Sequence, residues 1–77
     1  MGKAVTELEL KHLVETDRHI AECKNYIAKH RELIERAIQR GRSTEVAETT
    51  LEAIETSLRE FERRRRLLLD RLKERDP

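Results

Sequence analysis

The apolar residues of this chain recur at intervals of three and four, and they do so in two separate runs. Leu13, Ile20, Ile27 and Ile34 stand at strict sevens, with Thr16, Cys23, His30 and Ala37 between them. The second run is Ala47, Leu51, Ile54, Leu58, Phe61, Arg65, Leu68 and Leu72. A period near 3.5 keeps one stripe of a helix turned toward a neighbour and implies left-handed supercoiling at a shallow crossing angle. The two runs also mirror each other. Ile34 pairs with Leu51, Ile27 with Leu58, Ile20 with Arg65 and Leu13 with Leu72, the residue numbers in each pair adding to one total. Ala37 with Ala47, His30 with Ile54, Cys23 with Phe61 and Thr16 with Leu68 add to one less. Two helices folded back on each other at Gly41–Thr44 would produce that register.

The pattern therefore predicts an all-α fold, a coiled-coil-like antiparallel hairpin spanning residues 1–77 as a single domain. The first helix is expected over about 4–40, near 55 Å long at 1.5 Å per residue. Thr6 with Glu9 also reads as a capping box, which would place the ordered start at Thr6. Gly41 supplies the left-handed C-cap, in a turn over 41–44. Ser43 or Thr44 caps the second helix, with Glu45 and Glu48 in its first turn, and this helix runs to about residue 75. With Leu13 in heptad position a, the d positions of the first helix are small or partly polar, while those facing them are large. Such layers interdigitate, and Cys23 against Phe61 is expected to make a sulfur–aromatic contact.

Composition strengthens the helical reading and sharpens one difficulty. Charged residues form 43% of the chain and aromatic residues 3%, with Gly twice and Pro once. That balance is also met in disordered chains, but a disordered chain has no reason to keep heptad order. A lone hairpin is nonetheless poorly supported. Large side chains touching one neighbour bury about half their surface, worth roughly 1 kcal/mol each, while ordering a residue costs about 1.5 kcal/mol. Position g of the first helix carries His12, His19, Tyr26 and Leu33, and Leu69 lies beside the second seam. This second flank predicts a homodimer forming a four-helix bundle.

Charge excludes more than it selects. The formal net charge is +1, so the molecule as a whole carries no strong field toward nucleic acid or membrane. No apolar run is long enough for a membrane span, and the single cysteine suits a reducing cytoplasm. Locally, Arg63, Arg64, Arg65, Arg66, Arg71, Lys73 and Arg75 face only Asp70 and Glu74, while residues 44–62 carry six acids and one base. Acids near a helix start and bases near its end suit the macrodipole and give antiparallel partners complementary charge. The alternative is RNA or DNA binding through Arg63, Arg64, Arg66, Arg71 and Lys73, although no aromatic platform accompanies them. Arg65, at an a position, is expected to bury its stem and reach Asp17 or Glu62.

Other chemistry is faint. His19 and Cys23 form an i, i+4 pair able to hold zinc or copper, and two pairs across a dimer axis would supply four ligands. No C-x-x-C or histidine–carboxylate motif supports them, so no metal or other cofactor is expected. Ser43 and Ser57 have no base in a triad pattern, and no Gly-rich loop cradles phosphate. No catalytic residues are expected, and the chain reads as a non-enzyme.

The segment Asp17-Arg18-His19-Ile20-Ala21-Glu22, continuing through Ile27-Ala28-Lys29-His30-Arg31-Glu32-Leu33-Ile34, resembles a group of short uncharacterised proteins of alphaproteobacteria. There a D-R-H-I-A-E segment precedes an R-x-x-I-A-R-x-R-E-L segment, a Gly-containing turn and a second helix. The resemblance covers about residues 13 to 72 and implies a bacterial cytoplasmic protein with a helical hairpin, and no activity. In architecture alone the chain is similar to Rop, a small hairpin dimer that binds RNA loop pairs, although no motif of Rop's RNA face is present. The expectation is a small homodimeric protein-interaction or regulatory module.

Overall fold

The computed structural model describes residues 2–74, with side chains from Glu7 onward. It consists of two helices, α1 (Gly2–Gln39) and α2 (Glu45–Glu74), packed antiparallel along their length. The chain forms a rod of 60 × 15 × 14 Å with a radius of gyration of 17.6 Å, against about 11.5 Å for a compact domain of this length. Among the described residues only the facing helix covers either stripe.

Every a and d residue of α1 from Leu13 to Ala37 is at least half-buried, as the heptad count requires. On α2 the same holds from Ala47 to Leu72, with Arg65 the exception. Within these runs the tightest points are Thr16, Ile27 and Leu68, at 3%, 8% and 6% exposure. Thr16 tolerates burial because its hydroxyl donates to the His12 carbonyl at 2.8 Å, a local bond that replaces lost water. His30 is accommodated in the same way. Its Nδ1 lies 3.0 Å from the Tyr26 carbonyl, which can only accept, so that nitrogen carries the proton. Among the described residues no side chain is fully sealed from solvent.

The bend is a Schellman motif. The Gly41 N–H donates to the Ile38 carbonyl at 3.0 Å, and the Arg42 N–H reaches back to the Ala37 carbonyl at 2.9 Å. These bonds satisfy carbonyls that the helix end leaves open. Gly41 has φ 68°, the left-handed region that costs side-chain-bearing residues steric energy. Thr44 then begins α2 by accepting the Glu48 N–H at 2.8 Å, as an N-cap carbonyl does.

The start of α1 differs from expectation. Helix α1 starts at Gly2, before both Ala4 and Thr6, so Thr6 is an interior residue rather than a cap; its side chain lies outside the described residues. The expected end of α2 at about Arg75 also lies outside them. Glu9 falls on the seam one heptad before Thr16 and is buried at 7%, a position that the apolar pattern did not reveal because the residue is charged.

Gly41→Ala should lower the unfolding free energy by about 1–2 kcal/mol. The added methyl would meet nothing within 4 Å, so the whole loss is backbone strain. Gly41→Asn should lose less, because asparagine tolerates this conformation better. Urea denaturation of both variants checks the order.

Candidate interaction surfaces

The seam leaves two flanks, and their chemistry differs. In an antiparallel pair the e positions of one helix lie beside the e positions of the other, and g beside g. The e flank brings Asp17, Lys24 and Arg31 of α1 beside Glu48, Glu55 and Glu62 of α2. Both interhelical ion pairs among the described residues lie here. Arg65 donates from Nε to Asp17 Oδ1 at 2.7 Å, and Arg31 Nη2 lies 3.5 Å from Glu55 Oε2. Arg65 thus reaches Asp17, one of the two acids expected. Its side chain is exposed rather than buried against Ile20, and it carries its charge out to Asp17, where both partners remain close to half exposed.

The g flank is built otherwise. His12 and His19 of α1 stand beside Arg64 and Arg71 of α2 along an open groove of about 530 Å³, floored by Thr16 and Leu68 and edged by Glu15 and Leu67. The His19 ring stacks on Phe61 at 4.9 Å between centroids and 13° between planes. The Arg64 guanidinium sits 5.7 Å from the same Phe61 ring, within cation–π range. Further along, Tyr26 lies edge-on to His30 at 6.5 Å. Tyr26, Leu33 and Leu67 keep more than half of their surface in solvent, at 55%, 54% and 52%.

Leu69 does not belong to this flank. It occupies an e position and is half-buried beside the other side of the seam, while Leu67, two residues earlier, lines the g groove. The sequence reading grouped Leu69 with the histidines because it placed residues beside a seam without assigning a side. Heptad letters applied to both strands of the hairpin separate the two. Phe61 likewise meets His19, at a g position, as its aromatic neighbour.

Histidine 19 and Cys23 lie on successive turns, both half-buried, with Cys23 a free thiol. No group of three or more His, Cys, Asp or Glu side chains is gathered as a metal ion would need among the described residues. The five basic candidates are all exposed but do not form one face. Arg64 and Arg71 line the g groove, and Arg66 lines a groove on the e flank with Asp17, Lys24, Glu62 and Arg65. Arg63 and Lys73 stand on the outer side of α2. A stripe does exist there. Arg59, Arg63, Arg66 and Lys73, at spacings of four, three and seven, share an outward arc interrupted only by Asp70. Arg59 is its member that the sequence reading left out, since it precedes the arginine run.

No family model, curated protein or solved structure matches the chain. Among the described residues no helix is long and apolar enough to cross a membrane.

Replacing Arg65 with Leu should raise the thermal midpoint, because an apolar a residue gains burial against Ile20 while the exposed pair lost with it contributes little. Asp17→Ala, which removes the same pair without that gain, should cost less than about 1 kcal/mol. Thermal and chemical unfolding of the two variants measures both effects. A sharp fall for Arg65→Leu would contradict this placement.

Proposed function

We propose that the protein is a cytoplasmic homodimeric interaction module, a four-helix bundle built from two hairpins that acts by protein–protein contact as an adaptor or small regulator. The observation that carries this reading is unfinished burial. The chain exposes 6472 Å², whereas a compact monomer of its mass exposes about 4,900 Å². The excess of about 1,500 Å² is of the size that each partner buries in an obligate homodimer. An apolar seam that stays half-buried at nearly every layer has the same need. Among the described residues nothing joins a nucleophile to a base or gathers groups for acid–base work, so we read contact rather than chemistry.

Nucleic-acid binding through α2 is the second reading, and the outward arc of Arg59, Arg63, Arg66 and Lys73 favours it. The two readings are compatible in space, because this arc lies away from the g flank. They differ in their response to salt. Binding of a structured RNA that engages this arc should weaken with a log–log slope near −0.7 to −0.9 per phosphate contacted; a protein contact through apolar surface should hardly change.

Sedimentation equilibrium in the micromolar range should give twice the chain mass. A folded monomer throughout that range would overturn the dimer reading. Anisotropy titrations with labelled RNA at two salt concentrations test the second reading, and Arg63→Ala with Arg66→Ala should abolish whatever salt-sensitive binding is seen.

A further inference from the structure

Resting on the dimer reading above, we propose which face the second copy covers and how it lies. It covers the flank of His12, His19, Tyr26 and Leu33, with α1 antiparallel to α1 of the second copy about a twofold axis at Tyr26. The choice between flanks follows from their composition. At e positions α1 carries Asp17, Lys24 and Arg31 between Leu10 and Ile38 near its two ends, and α2 carries Glu48, Glu55 and Glu62 before Leu69; Arg31 pairs with Glu55, and Asp17 with the seam arginine. Burying that flank would desolvate charges already satisfied by their neighbours. At g positions the described residues of α1 carry no carboxylate or ammonium as far as Leu33, and those of α2 are Thr50, Ser57, Arg64 and Arg71. The core of an interface is depleted of charge and enriched in aromatic residues and arginine. Of the exposed large apolar residues, Leu8, Tyr26, Leu33, Val46 and Leu67 lie on the g flank or the c positions beside it, and Leu10, Val14 and Ile38 on the e flank or the b positions beside it.

Charge then sets the direction. The c positions bordering this flank on α1 are Glu15, Glu22, Lys29 and Arg36, acids in the first half and bases in the second, each seven residues from the next. Two parallel copies of α1 would place like on like. Two antiparallel copies centred on Tyr26 place Glu22 opposite Lys29 of the second copy and Glu15 opposite its Arg36, twice each by symmetry. In the same register Leu33 of the second copy comes opposite His19, over the groove whose far edge is Leu67. The hairpin carries this axis across to α2 near Arg59. There Arg64 and Arg71 of one copy approach the half of α2 whose g and c positions are Val46, Thr50, Ala53 and Ser57, and Ala53 and Ser57 are small enough to let the helices close up.

Charge exchange tests the arrangement directly. In sedimentation equilibrium, Glu22→Lys alone and Lys29→Glu alone should each raise the dimer dissociation constant about tenfold, since each turns two attractions into repulsions. The double exchange should return it to within about threefold of the original value, because the opposed pairs are then restored with signs reversed. Tyr26→Glu should dissociate the dimer, and Ala28→Glu, on the opposite flank, should not. Helical circular dichroism of each variant confirms that the hairpin itself is intact. A dimer that survives Tyr26→Glu but not Ala28→Glu would overturn the face while leaving the dimer reading standing. A double exchange no tighter than the single ones would overturn the antiparallel order. A wild-type chain that sediments as a monomer would remove the dimer reading and this inference together.

Discussion

One antiparallel seam holds this molecule together, and every other feature is a response to how little that seam can bury. Two helices in contact cover only the stripe each turns to the other, and a rod 14–15 Å across has no interior beyond it. The layers are therefore economical. A small or hydrogen-bonded residue on α1 faces a large one on α2, as Thr16 does with Leu68. Two polar members on α1, Thr16 and His30, return their hydrogen bonds to their own helix. This keeps buried polar groups satisfied without asking the opposite helix for a partner. Register depends on the bend. Gly41 turns the chain within a few residues, and the first seam residues on either side of it, Ala37 and Ala47, are small and half-buried.

The two flanks divide the remaining work. Charges on the e side bind the helices to each other through Arg65 with Asp17 and Arg31 with Glu55. Such exposed pairs contribute little stability, and a one-heptad slip that brought Asp17 opposite Glu62 would set like charges together. The g side carries the apolar and aromatic surplus. His19 stacked on Phe61, with Arg64 nearby, makes a firm platform beside an open groove. On this account the e flank specifies the hairpin and the g flank specifies what the hairpin joins.

The seam was legible in the sequence because a seven-residue period repeated through both helices leaves few alternative faces. The bend was legible because Gly41 is the only interior glycine after Gly2, and the left-handed cap is what glycine does at a helix end. The limits were equally physical. The start of α1 was obscured because Thr6 and Glu9 match a capping box by type, while an isolated motif does not stop a helix already running. Glu9 was missed because a glutamate at a d position looks like an interruption, not a seam residue. Leu69 was put on the wrong flank because periodicity along one helix does not say which side meets which until the partner's direction is applied. The basic arc was obscured by the conspicuous arginine run, whose four members point in four directions.

Incomplete burial is the central claim, and the dependence of thermal stability on protein concentration tests it most directly. If a second hairpin finishes the core, mass action requires the melting midpoint to rise steadily as the chain is concentrated over about two orders of magnitude. A cooperative transition whose midpoint stays the same across that range would mean that a single hairpin is stable unaided, and the account would be wrong.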